Sequence, residues 1–247
     1  MIAFAAVLAG VAVLAGGVAA LSGFGIGSLL TPVLAYAYDT RLAVAAVAIP
    51  HAVGTALRAW RLRHALDRRV LRGFGLASAA GGLAGALLHG RLGSPALTLI
   101  FGALLVLAGL SGFLPLWRTL RPTGAGSLAL GALSGLFGGL VGNQGGIRSA
   151  ALLGFSLEPQ AFVATATVTA LLVDAARLPV YLLESGARLR LLAPVILLAT
   201  LGVVVGTLAG ARLLARIPAP LFRRLVAGLI LLLGVAILAE AALGGRL

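Results

Sequence analysis

The sequence predicts an all-α polytopic membrane protein made of two inverted-topology repeats, each a broken-helix hairpin plus three transmembrane helices. Three observations carry that expectation. The 247 residues are 61% hydrophobic and only 10% charged, with a mean hydropathy of +1.13, whereas a soluble domain is about 25% charged. Apolar runs recur along the chain, beginning with Met1 to Tyr38, which carries no charged side chain; ~20 such residues are enough to cross a bilayer. Two glycine-rich interruptions, one in each half, each precede an apolar segment too short to span comfortably.

In order, the apolar segments are 2–22, 24–38, 42–61, 71–90, 95–117, 124–142, 145–157, 160–183, 190–213 and 219–243. At a rise of 1.5 Å per residue, 24–38 and 145–157 reach about 22 and 20 Å, against a hydrocarbon core of ~30 Å. Both follow glycine-rich breaks, Ser22–Ser28 (SGFGIGS) and Gly138–Gly146. Irregular backbone at membrane depth survives only where protein or a water-filled cavity satisfies its polar groups.

The two halves echo each other. Ala20-Leu21-Ser22-Gly23 recurs as Ala132-Leu133-Ser134-Gly135. An offset of 118 then matches Gly27 with Gly145, Leu34 with Leu152, Ala43 with Ala161 and Ala52 with Ala170. The domains expected are therefore 1–121 (hairpin 2–38, helices 42–61, 71–90 and 95–117) and 122–247 (hairpin 124–157, helices 160–183, 190–213 and 219–243).

All 19 basic residues are arginine, and most fall in short clusters between apolar runs. The +13 net charge therefore reads as cytoplasmic loops and not as a nucleic-acid footprint. Arg61, Arg63, Arg68, Arg69 and Arg72 form one cluster, Arg118 and Arg121 a second, and Arg212, Arg216, Arg223 and Arg224 a third. All three are on the cytoplasmic side only if each broken pair returns to the side it left. That places both termini outside and gives the repeats opposite topology, a construction used by secondary transporters. Cysteine is absent and histidines number three, so no metal site or other cofactor is expected.

"SGFGIGSLLTPVL", "SGLFGGLVGNQGGIRSAALL" and the two-fold repeat together resemble the sulfite exporter TauE/SafE family of membrane permeases. The resemblance covers nearly the whole chain. It implies a bacterial inner-membrane protein moving sulfite or organosulfonate anions, usually outward. The second half departs from the family's pattern: Ala150 stands where a proline matching Pro32 is expected, and Arg148 adds a charge.

Arg148 is the only charge between Arg121 and Glu158. It lies in a break with Asn143, Gln144, Gly145, Gly146 and Ser149, where a helix N-terminus would aim its positive end at the membrane centre. Those donors suit an oxyanion; the plainer alternative is a structural arginine that snorkels or pairs with an acid. Gly25, Gly27, Ser28 and Thr31 form the matching, uncharged side, where close helix packing is the competing explanation. His51, Thr55 and Arg58 share a helical face. His51 is a candidate for anion contact or proton transfer, and Arg58 is expected to snorkel. Asp174, three residues before Arg177, is a candidate coupling group or a structural ion-pair partner; a pairing with Arg148 is the other arrangement open to it. Trp60, Trp117, Tyr36, Tyr38 and Tyr181 read as interfacial anchors, and His64, His89 and Asp67 as loop residues.

The function expected is a secondary transporter, an exporter, of a small sulfur oxyanion or organosulfonate such as sulfite. An anion channel or uniporter on the same scaffold is the alternative. A membrane-embedded enzyme, with Ser134 and His51 as an imagined dyad, is disfavoured because no nucleophile motif supports it. The partners expected are the anion and the lipid bilayer, not nucleic acid. Proton or sodium coupling and a homodimer stay open.

Overall fold

The structure, a computed structural model, describes residues 2–114, 124–210 and 218–243, and within these every regular element is helical. The helices are α1 (Ile2–Ser22), α2 (Ile26–Ala37), α3 (Thr40–Leu62), α4 (Leu76–His89), α5 (Ser94–Ser111), α6 (Ala125–Val141), α7 (Gly145–Leu153), α8 (Pro159–Leu191), α9 (Ala193–Val205) and α10 (Ala219–Ala242). A helical turn at Arg68–Val70 and a π-helical turn at Leu71–Gly75 lead into α4, and a second π-helical turn, Gly206–Gly210, follows α9. Six helices among the described residues are long and apolar enough to cross a bilayer: Ile2–Ser22, Thr40–Ala65, Arg68–His89, Ser94–Ser111, Pro159–Leu191 and Arg224–Ala242. Of the basic clusters, Arg118, Arg121, Arg212 and Arg216 lie outside the described residues, as does Trp117.

Local chemistry explains the ends. Asp39 caps α3 by accepting from the Leu42 N–H (2.9 Å), and Asp67 caps the turn at Arg68 by accepting from the Val70 N–H (2.9 Å). Pro95, Pro159 and Pro194 start α5, α8 and α9 where a missing N–H costs nothing. Partial burial opposes the charge of Asp39, but the Leu42 N–H, Arg188 and Ser94 hold its carboxyl below the ordinary value.

Helix α8 overturns one boundary. The segment 160–183 was expected to end in an outer loop before 190, yet the helix runs unbroken for 33 residues, about 50 Å. Ser185 and Leu189, one turn apart, stay buried against the protein, while Arg188 reaches Asp39 at 2.5 Å and Glu184 lies 3.9 Å from Arg41. The charged run does not end the helix. The next helix starts at Ala193, three residues after the expected 190, and its helical course continues from Val205 through the π-helical turn Gly206–Gly210.

The hairpins open at opposite ends of the molecule. Phe4, near the start of α1, stacks edge-on against Tyr38 beyond the end of α2, with ring centroids 6.5 Å apart. At the other end, Phe74 meets both sides of the second hairpin: the start of α6 through Gly131, and Phe155 beyond α7 at 6.2 Å. Helix α8 joins the two ends. Its Thr165 hydroxyl accepts from the Asp67 N–H (3.1 Å), and its Arg188 pairs with Asp39.

Packing then crosses between the halves. Helix α6 lies along α4, α1 along α9, α3 along α8 and α5 along α10. The α4–α6 contact is backbone on backbone. Gly81 and Gly85 sit against the Ala132 and Leu136 carbonyls, and Gly135 and Gly139 against those of Ser78 and Gly82. Lipid supplies no hydrophobic drive between helices, so close approach through small residues is what holds them. Gly135→Val should therefore lower stability by ~1–3 kcal/mol through overpacking. Gly186→Ala, in α8 with open space around it, should leave stability unchanged or raise it by up to ~1 kcal/mol. Thermal unfolding in detergent reads both, and equal melting of the two variants would refute close α4–α6 packing as a stabilising contact.

Candidate functional site

The two glycine-rich breaks meet in the interior. Gly23 (φ 79°), Gly25 (φ 127°) and Gly142 (φ 72°) adopt backbone conformations that a side chain resists, which ends α1 and α6 and lets α2 and α7 start anew. Gly27 lies so close to the Gly142 carbonyl that no Cβ fits, and Gly145 packs on the Phe24 ring. Ser28 Oγ donates to Asn143 Oδ1 at 3.4 Å, and Arg148 Nη2 donates to the Gly23 carbonyl at 3.2 Å. The tip of each hairpin thus touches the tip of the other.

Ending a helix in the interior orphans its last four carbonyls. For α6 the neighbouring helices supply the donors. Arg177 Nη1 reaches Gly138 O at 2.8 Å, Tyr181 donates to Gly139 O, and His89 Nδ1 donates to Leu140 O at 2.8 Å. Arg177 is itself fixed by Asp174, whose Oδ1 lies 3.0 Å from Nε and 2.8 Å from Nη2. The other carboxylate oxygen accepts from His51 Nδ1 at 2.7 Å. Asp174 therefore joins α3 to α8, and through Arg177 to the end of α6.

Other buried groups have no such partners. Arg58 donates through Nη2 to Thr55 Oγ1 (3.2 Å), but its Nε and Nη1 bond to nothing among the described residues. Arg148 Nε and Nη1 are likewise unmatched, as are Asn143 Nδ2, Gln144 Oε1 and the hydroxyls of Thr31, Thr167 and Thr169. These are costly atoms to bury bare. Arg58 is 3% exposed and Arg148 1%; Arg148 bonds the Gly23 carbonyl, and Gly54, one turn before Arg58, packs on Ile26 of the same break. Of the six acids in the chain only Asp174 is buried, against three buried arginines among the described residues, Arg58, Arg148 and Arg177.

The structure brings together Gly27, Ser28, Asn143, Gly145 and Arg148, and separately His51 with Asp174. Thr31 is buried in α2 and bonds to no protein group among the described residues. Gly25 is the residue before α2, and Ser149 is half-buried beside Arg148. Asn143, Gln144 and Gly146 line a cavity of about 140 Å³ against Leu104, Ala108 and Phe137 of the neighbouring helices. A larger groove of about 490 Å³, lined by Phe4, Pro32, Tyr36 and Ile237, is apolar and lies on the face formed by α1, α2 and α10.

Several placements correct the sequence reading. Arg58 does not snorkel; it is buried beside Thr55. Tyr181 is not an interfacial anchor but a buried donor to the end of α6, and His89 is not a loop residue but another. Asp67 sits in a connection, as expected, but caps the next helix. Asp174 pairs with His51 and Arg177 and not with Arg148. Ser134 Oγ donates to the Gln144 carbonyl (3.3 Å), so Ser134 and His51 share no hydrogen bond. The spacing of Asp174 to Arg177 signalled that pair; nothing local signalled that Tyr181 and His89 would meet the carbonyls of a helix 40 or more residues away.

A family model described as sulfite exporter TauE/SafE matches residues 8–237. No curated protein and no solved structure matches the chain. The family match takes in the first hairpin from residue 8, the second hairpin, both breaks and every residue of the buried charge cluster. Together with the six membrane-capable helices, it makes the chain a multi-pass membrane transport permease that belongs to the sulfite exporter TauE/SafE family.

Proposed function

We propose that the protein is a secondary transporter that exports a small sulfur oxyanion or organosulfonate, such as sulfite, across the bacterial inner membrane. The anion is held where the two breaks meet. The observation that carries this is Arg148, buried at the contact of the hairpin tips with Nε and Nη1 unmatched. Burying a guanidinium at the membrane centre costs ~3 kcal/mol or more, and one bond to the Gly23 carbonyl offsets little of it. Asn143, Ser28, Thr31 and the first-turn N–H groups of α7 at Gly145 and Gly146 add donors suited to an oxyanion. The burial of Arg148 and Asn143 supports a carrier over a channel, which needs a continuous path.

The inverted repeat, with halves 1–121 and 122–247, belongs to the same proposal. Hairpins opening at opposite ends support it, as does the pairing of α1 with α9, mirrored by that of α6 with α4. The cluster at Arg61–Arg72 faces the cytoplasm, and the Asp39–Arg188 end, with both termini, faces outward. The native chain has no cysteine, so a cysteine at exposed Ala187 should react with an impermeant thiol reagent from outside, and one at Arg69 should not; the reverse pattern overturns the orientation.

Arg148→Lys should keep the fold and weaken sulfite binding, because an ammonium cannot reproduce a bidentate contact. Arg148→Gln should weaken it further, by ~2–3 kcal/mol or roughly 30- to 150-fold. Titration of sulfite, taurine and sulfoacetate into purified protein tests this, and unchanged affinity in Arg148→Gln removes Arg148 from the site.

His51 and Asp174 carry the coupling if protons drive transport. His51 can take a proton at Nε2 while Nδ1 keeps its bond to Asp174. His51→Gln should then abolish pH-dependent accumulation in vesicles and leave counterflow exchange partly intact. Asp174→Asn is the harsher change, since it strands Arg177 at a cost of ~3–5 kcal/mol. Full pH dependence in His51→Gln removes His51 from the coupling.

A further inference from the structure

Arg58 and Arg177 sit in the same buried cluster but are treated differently by the protein. Arg177 is matched on every nitrogen: Nε and Nη2 face Asp174, and Nη1 faces the Gly138 carbonyl. That is how a structural arginine is held. Arg58 has one bond, to the neighbouring Thr55 hydroxyl, and two buried nitrogens with none among the described residues. Arg148 shows the same pattern on the facing hairpin tip.

The charges do not balance either. Asp174 is the single buried carboxylate, and both its oxygens are already bonded, one to Arg177 and one to His51. It neutralises one of the three buried guanidinium groups. Among the described residues two buried positive charges remain, on Arg58 and Arg148, and both lie by the first break: Arg148 bonds the Gly23 carbonyl, and Gly54, one turn before Arg58, packs on Ile26. Groups of like charge gathered in low dielectric are stabilised by a counter-charge placed between them. A monoanion would leave one of the two uncompensated.

We infer that Arg58 is a second anion-binding residue, and that Arg58 and Arg148 together select a doubly charged oxyanion over a singly charged sulfonate. This rests on the anion site proposed above and narrows its substrate class. Arg148 supplies the contact common to all the anions, and Arg58 supplies the contact that reads the second charge. Thr55 holds the Arg58 head in place through Nη2, which leaves Nε and Nη1 as two further charged donors for the oxygens of an anion.

Methanesulfonate and sulfate separate charge from shape, because they share a tetrahedral outline and differ by one charge. Calorimetric titration of the purified full-length protein with sulfate, sulfite and methanesulfonate, above the second ionisation of sulfurous acid, reads the preference. Wild type should bind at least one of the two dianions about tenfold or more tighter than methanesulfonate. Arg58→Gln should lose the dianion by about 10- to 150-fold, bring the preference close to one, and leave methanesulfonate within about threefold of wild type. Arg58→Lys, which keeps the charge, should retain part of the preference. An unchanged preference in Arg58→Gln, or wild-type protein that binds methanesulfonate as tightly as the dianions, overturns the assignment of Arg58. Should Arg58→Gln fail to fold in a thermal melt, the wild-type preference and the Arg58→Lys titration decide alone: a reduced but remaining dianion preference with methanesulfonate binding kept supports the assignment, whereas an unchanged preference, or loss of both anions together, overturns it. Binding of none of the three anions to wild type removes the underlying anion site itself.

Discussion

A helix that ends inside a membrane must have its carbonyls satisfied by protein, and much of the interior is organised by that demand. The last turn of α6 presents Gly138, Gly139 and Leu140 carbonyls to Arg177, Tyr181 and His89. Two of these donors come from α8 and one from α4, so capping one helix draws three together. Arg177 can serve there only because Asp174 offsets its charge, and Asp174 in turn takes a bond from His51 on α3. The break at α1 is met more sparingly, by Arg148 at the Gly23 carbonyl and by the Ser22 hydroxyl at Val18.

The two ends are therefore unequal. One has three donors for three carbonyls, and the charge it uses is balanced. The other borrows one nitrogen of an arginine whose remaining donors have no protein acceptor among the described residues. The α6 end is a closed structural joint, and the α1 end leaves donors to spare among the described residues. The close backbone contact of α4 with α6 supports the joint from behind, so rearrangement around Arg148 need not disturb it.

Much of the architecture was legible in the sequence because glycine and arginine carry strong local meaning in so apolar a chain. The runs around Gly23–Gly27 and Gly142–Gly146 marked where helices stop, since few other residues tolerate those backbone angles. The lone Arg148 marked a place where the two breaks touch. The end of α8 was not legible: charges at Glu184, Arg188 and Arg190 read as a loop, but a helix can leave the bilayer and continue into water without turning. Nor was the burial of Arg58, because an arginine near a helix end looks the same whether it reaches toward lipid headgroups or folds inward. Tyr181 and His89 depend on contacts distant in sequence, with Gly139 and Leu140, which no local pattern encodes.

The pairing of α1 with α9 has a consequence for biosynthesis. Gly16 of α1 packs against Val203, and Gly206 beyond α9 against Val13, so α1 finds its partner only after some 170 further residues have been translated. At ~5–20 residues per second that delay is on the order of 10–35 s. During it α1 must wait in lipid with its small-residue face unpartnered, which its uncharged composition allows and which a chaperone or the insertion machinery is well placed to shield. The nascent first half is thus an intermediate that cannot close on itself, and assembly of the permease is completed from the C-terminal half backwards.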